Sequence, residues 1–196
     1  MGLTGGIGSG KTMVAGMLAE LGAVIMDADA LSKAATAPGG AAIAAITSTF
    51  GAALITAEGA LDRIAMRALV FHDGQARHQL EAIIHPLVQQ AIAARTADAL
   101  ALGLRWLVLD IPLLVETAYW LPRLDCTMVV DCRVRTQVAR VVARSGLSPP
   151  EVLRIISAQA SRSQRLAVAD MVLFNDDKPL DTMRCEIALL TQHLQL

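Results

Sequence analysis

Short apolar runs, each closed by a polar residue, recur along the chain. Ala23-Val24-Ile25-Met26 ends at Asp27, and Trp106-Leu107-Val108-Leu109 ends at Asp110. Cys126-Thr127-Met128-Val129-Val130 ends at Asp131, and Met171-Val172-Leu173-Phe174 ends at Asn175. Continuous runs without alternation suit strands covered on both faces. Between them the spacing turns helical. Val14, Met17, Leu18 and Leu21 recur at i, i+3, i+4 and i+7, and Gly22 is placed to close that helix. From about residue 30 to 102 the chain reads as mainly helical and alanine-rich. Ile83, Ile84, Leu87 and Val88 give one apolar face there, and Pro86 begins a helix or kinks one. Strands alternating with helices predict an α/β class with a parallel sheet. In such sheets ligands bind beyond the carboxyl ends of the strands, which gathers the terminal Asp and Asn residues round one site. The competing reading is that Asp and Asn simply start turns and cap helices. Asp131, with a helical stretch after it, best fits a plain cap.

Composition narrows the picture. A chain of 196 residues with 54% hydrophobic content can bury a core as one domain with inserted lobes. A net charge of -1 gives no pull toward nucleic acid or anionic membrane, and 3% aromatics are too few for a base-stacking platform. Mean hydropathy is +0.49, yet the richest apolar stretch, Val14 to Met26, is broken by Glu20 and Gly22. Nothing approaches the roughly 20 apolar residues of a spanning helix. No basic segment followed by an apolar one opens the chain. Cys126, Cys132 and Cys185 form neither a CxxC pair nor a zinc spacing, so a reducing cytoplasm is the expected setting. Small-molecule partners are expected, with neither nucleic acid nor membrane; the oligomeric state is left open.

The strongest chemical signal is Gly5-Gly6-Ile7-Gly8-Ser9-Gly10-Lys11-Thr12, a full match to G-x-x-x-x-G-K-[ST]. Glycines let successive backbone N–H groups turn toward phosphate oxygens. Lys11 supplies a charge for the β- and γ-phosphates, and the Thr12 hydroxyl can ligate Mg2+. The following helix contributes its N-terminal N–H groups and dipole. These residues predict an ATP-dependent phosphotransferase with Gly6, Ile7, Gly8, Ser9, Gly10, Lys11 and Thr12 on the nucleotide. Only Met1-Gly2-Leu3-Thr4 precede the motif, a short strand for a sheet centre. That predicts further residues before Met1, since so short a strand would leave the sheet poorly paired.

A second signal is electrostatic. Between Arg133 and Arg165 lie seven arginines (133, 135, 140, 144, 154, 162 and 165) against the single acid Glu151, a local charge of +6. Arg140 and Arg144 are four apart on one helix face, and Gly146 and Pro149-Pro150 then break the helix. Arginine suits multi-oxygen phosphate recognition. Solvated helix faces usually mix signs, so a basic helix–turn–helix closing over ATP accounts better for the cluster.

Together these residues resemble the dephospho-CoA kinase family, nearly end to end. The resemblance is carried by Leu3-Thr4-Gly5 through Thr12, Asp27-Ala28-Asp29, Leu80-Glu81-Ala82-Ile83-Ile84-His85-Pro86-Leu87, Asp110-Ile111-Pro112-Leu113-Leu114-Val115-Glu116, and Ala158-Gln159 leading into Arg162, Arg165 and Ala169-Asp170. Val115 departs from it, standing where an aromatic is common. The resemblance implies a P-loop nucleoside-triphosphate hydrolase-type parallel sheet flanked by helices (1–30, 103–132 and 166–196). It also implies an inserted helical acceptor lobe (about 31–102) and a helical lid (about 133–165). The implied reaction phosphorylates the ribose 3′-hydroxyl of dephospho-CoA, with ATP and Mg2+. Asp29 is the expected base, with Asp27 on the metal side or structural. The two are assumed to project together if strand geometry carries through the turn. Arg140 and Arg144 would neutralise the transferring group, and Asn175 would approach the adenine. Arg63, Arg77, His85 and Glu116 are candidates for the acceptor side, although spacing alone reads a lone histidine as structural. Two rivals stand: a kinase of another small acceptor, such as a nucleoside monophosphate or shikimate, and a P-loop switch or regulatory ATPase. No Asn-Lys-x-Asp segment reads guanine.

Overall fold

A computed structural model describes residues 1–104, 106–117 and 119–193. Strands β1 (Gly2–Gly5), β2 (Val24–Asp27), β3 (Leu107–Asp110), β4 (Thr127–Asp131) and β5 (Met171–Phe174) form one parallel sheet in the order β2-β3-β1-β4-β5. The apolar runs become strands because both faces are covered: every residue of β1 and β4 is buried. Leu3 of β1, Val108 of β3, Met128 and Val130 of β4 and Leu173 of β5 join one core.

The short first strand is not poorly paired, contrary to expectation. Gly2 and Leu3 lie opposite Leu109 and Asp110 on one side, and Gly2 through Gly5 lie opposite Thr127 through Val130 on the other. The central position gives the strand a ladder on both edges.

Helix α1 (Lys11–Glu20) follows β1 and buries Val14, Met17 and Leu18 against that core. It closes as the spacing predicts: Gly22 adopts φ 97°, its N–H reaches Ala19 O at 2.9 Å, and Ala23 N–H reaches Leu18 O at 3.0 Å. Only glycine adopts that left-handed turn without strain. Helix α10 (Leu180–His193) adds Met183 and Ile187 to the same core.

The chain divides into two units: residues 1–26 with 99–196, and residues 27–98. The second unit is helical, with α2 (Ala28–Ala35), α3 (Ile43–Phe50), α4 (Arg63–His72) and α5 (Gly74–Ala101), the last running on past the boundary. Its own core holds Ala42, Ile46, Leu61 and Met66, with Ile83 and Leu87 of α5 packed against them. Pro86 neither begins α5 nor ends it. One backbone rung is lost there and tertiary packing carries the helix through.

In the first unit, α6 (Leu114–Thr117) follows β3, and α7 (Val134–Ser145), α8 (Pro149–Ala158) and α9 (Arg162–Ala167) lie between β4 and β5. Gly146, at φ 69°, ends α7. Ser148 with Glu151 and Ser161 with Gln164 form capping boxes that start α8 and α9. Among the described residues no helix is long and apolar enough to cross a membrane.

Candidate active site

The glycine-rich segment leaves the carboxyl end of β1 and enters α1 with no side chain capping the helix; Gly10, at φ 94°, occupies the cap position. The first N–H groups of α1 are therefore left for an anion. A cleft of about 500 Å³ opens there, lined by residues 5–13 with Pro112, Arg144, Ile155 and Gln159. Lys11 is mostly buried and ion-paired with Asp110 at the end of β3. Thr12 is exposed in the first turn of α1.

The loop is held from behind by side chains of other elements. Gln137 of α7 donates to Ile7 O at 2.9 Å, and Gln159 Oε1 accepts from Ile7 N–H at 2.9 Å. Arg140 donates to Asn175 O at 3.0 Å and to Ser9 O at 3.4 Å. Asn175, 1% exposed, donates to Ser9 O at 2.7 Å. Glycine is required on this loop by crowding as well as by φ. A Cβ at Gly6 would meet Gln137 and Arg165, and one at Gly10 would meet Asn175.

The expectations for the strand ends divide here. Asp131 is not a plain cap. The N-cap of α7 is Arg133, and Asp131, 3% exposed, instead accepts a fork from Arg162, with Nε to Oδ2 at 2.9 Å and Nη2 to Oδ2 at 2.6 Å. Those hydrogen bonds raise the Arg162 pKa. The start of α7 is held instead by Asp176, which accepts from Arg133 N–H at 3.2 Å and from the Thr136 hydroxyl. The Thr136 hydroxyl, more than the nearby Arg133 and Arg135, holds the Asp176 pKa below the usual carboxylate range. Asp131 and Asp176 thus neutralise part of the +6 segment from outside it. Cys132 lies beside Gly8 O, and burial pushes its thiol up to about 11, so it is a packing group rather than a nucleophile.

Arg140 and Arg144, alike in sequence, part in space: Arg140 braces loop carbonyls while Arg144 lines the cleft. Asn175, expected to approach the adenine, is instead buried beneath the loop, where Ser9 O and Arg140 take up its polar atoms. Glu116 of α6 accepts from Ala160 N–H at 2.7 Å.

The other candidates belong to the second unit. The assumption that Asp27 and Asp29 share a strand face fails, because α2 starts at Ala28. Asp27 caps that helix, accepting from Ala30 N–H at 2.9 Å, and Asp29 lies in its first turn. Arg63 donates to the Thr36 hydroxyl at 2.8 Å, and Arg77 pairs with Glu81 at 2.9 Å. His85 precedes Pro86 in α5.

Sequence reasoning did not assign Asp110 to Lys11, nor Gln137 and Gln159 to the loop. The available signals were Gln159 itself, in the Ala158-Gln159 segment of the resemblance, and Gln137, a polar residue one turn before buried Val141 on the inner face of α7.

The dephospho-CoA kinase family model matches residues 1–181. A dephospho-CoA kinase from Albidiferax ferrireducens is 52% identical over 196 residues, covering 100% of this chain and 92% of that protein. One from Bordetella pertussis is 52% identical, covering 97% and 88%. A crystal structure from Thermus thermophilus is similar with TM-score 0.82 and 35% identity, covering 100% of this chain and 96% of that one. In fold alone the chain is also similar to a shikimate kinase from Acinetobacter baumannii in complex with shikimate, with TM-score 0.53, 17% identity and coverage of 99% and 92%. The match to the family model and to these relatives runs through both units. The chain belongs to the dephospho-CoA kinase family.

Proposed function

We propose that this kinase transfers the γ-phosphoryl group of ATP to the ribose 3′-hydroxyl of dephospho-CoA, releasing coenzyme A and ADP. The observation that carries the reading is the loop from Gly5 to Thr12, running from the central strand into an uncapped helix above a cleft that also takes in Arg144. Backbone N–H groups of this loop and Lys11 hold the phosphates, and Lys11 exchanges Asp110 for them when ATP enters. Arg144, on the proposed lid, meets the charge of the transferring group, and Arg140 keeps the loop in shape for it. Closure of 133–165 over the cleft keeps water from acting as the acceptor.

Asp29 is the proposed base, and Asp27 holds the start of α2. Arg63, Arg77, His85 and Glu116 remain the proposed acceptor-side residues, and Asn175 supports the nucleotide through the loop. Thr12 fits Mg2+: its hydroxyl, exposed beside the loop in the first turn of α1, offers a single oxygen ligand. That donor set suits an ion carried mostly by water and phosphate oxygens. Mg2+, when bound, neutralises charge on the phosphates.

The test is ADP release measured with dephospho-CoA, with nucleoside monophosphates, with shikimate and with no acceptor. Release that depends on dephospho-CoA supports the reading. Equal release without any acceptor would make the chain an ATPase.

A further inference from the structure

The turn between α8 and α9 makes more of the cleft than the roles above use. The peptide of Ala160 is fixed at both ends: its N–H donates to Glu116 Oε1 at 2.7 Å, and its carbonyl accepts from the Arg165 guanidinium. Arg165 is 5% exposed, so the anchor is itself buried. Gln159, the residue before this peptide, projects from a fixed backbone onto the loop and lines the cleft with Arg144. Its carboxamide has one possible orientation. Ile7 N–H can only donate, so Oε1 must face it, at 2.9 Å. That leaves Nε2, a donor of two protons, with no acceptor among the described residues.

We propose that Gln159 is a further residue of the reaction: with Oε1 seated on the loop, Nε2 donates to an oxygen of the transferring phosphoryl group. The inference rests on the phosphoryl-transfer reading of this cleft. A carboxamide is suited to the task because it is neutral. Lys11 and Arg144 bring full charges, whose attraction depends little on angle. A directional donor held by the loop instead favours the geometry in which charge develops on the equatorial oxygens, and it costs no reorganisation at that moment. No bond is made or broken at Gln159; it contributes hydrogen bonds only.

Two variants separate this role from simple bracing of the loop. Gln159→Glu keeps an acceptor for Ile7 N–H but replaces the donor with a like charge. Gln159→Ala removes both functions. Turnover with ATP and dephospho-CoA is measured with the KM for ATP and the melting temperature. The donor role predicts a Gln159→Glu melting temperature near wild type with kcat reduced about 10²–10³-fold, the range for loss of one preorganised donor. It also predicts that Gln159→Ala lowers kcat at saturating ATP. Wild-type kcat in Gln159→Glu would overturn the proposal. Should that variant not melt cooperatively, Gln159→Ala decides alone: lowered kcat upholds the donor, while raised KM with unchanged kcat overturns it. A wild-type enzyme with no dephospho-CoA-dependent ADP release overturns the underlying reading instead, and that control is run first.

Discussion

Lys11 and Asp110 hold each other with side chains 14% and 11% exposed. Removing one partner leaves the other charge desolvated and unpaired. Lys11→Ala is therefore expected to abolish transfer and also to cost stability, on the order of 2 kcal/mol, less than the roughly 3–5 kcal/mol of a fully buried pair. Adding Asp110→Asn should restore much of the melting temperature but none of the turnover. If Lys11→Ala keeps its turnover at saturating ATP, the loop is not the phosphate site. Asp29 makes a second expectation. Asp29→Asn should lower kcat by about 10²–10⁴-fold with ATP affinity near wild type, as for loss of a general base; full activity would move the base elsewhere. At this scale the sequence was legible where chemistry demands particular residue types in a row, as from Gly5 to Thr12. It was not legible for Gln137 and Gln159, because a glutamine on a helix or in a turn looks the same whether it faces water or a backbone amide 130 or 152 residues away.

Element α7 carries two arginines one turn apart whose surroundings assign them different work. Arg140→Ala takes a charged donor from Ser9 and Asn175 oxygens, so it should lower the melting temperature and raise the KM for ATP, at about 1.5–3 kcal/mol for a charged hydrogen bond. Arg144→Ala should leave the melting temperature unchanged and lower kcat. Matching profiles from thermal melts and initial rates would show that the two act alike. The start of the same helix hangs on Asp176. Its pKa is lowered in the fold, so its contribution is complete above the unfolded value, roughly 3.9, and is lost as pH falls through the lower folded value. Asp176→Asn should melt below wild type by a constant margin from neutral pH down to about 5, and the margin should shrink below about pH 4. A margin that widens in acid would reverse the sign and discard the role. Strand and helix positions were readable from apolar runs and spacing. The roles of Asp131 and Asp27 were not, because a carboxylate after a strand can cap a helix or meet a distant arginine, and only the fold decides which.

Across the whole molecule, the order β2-β3-β1-β4-β5 brings the carboxyl ends of β1, β3 and β4 to one edge, where the loop, Asp110 and Asp131 lie. Parallel pairing makes that convergence unavoidable, which is why an α/β pattern with terminal Asp and Asn residues already points to a site in the sequence. What the pattern left unsaid is the bracing of the loop by α7 and the α8–α9 turn, since those contacts depend on the packing of residues far apart in sequence. The bracing bears on how the loop breathes. Glycine-rich segments are commonly the first to open, and their amides usually exchange with solvent through local fluctuations of little free energy. Here the Ile7 peptide is bonded at both its N–H and its C=O, and the loop grows from a strand paired on both edges. The Ile7 N–H should exchange on the timescale of the β4 amides and not on that of an exposed turn such as Ala57-Glu58. Fast exchange at Ile7 in hydrogen–deuterium measurements would mean that the braces open independently of the sheet. Slow exchange would make this loop a rigid cradle whose shape precedes its ligand.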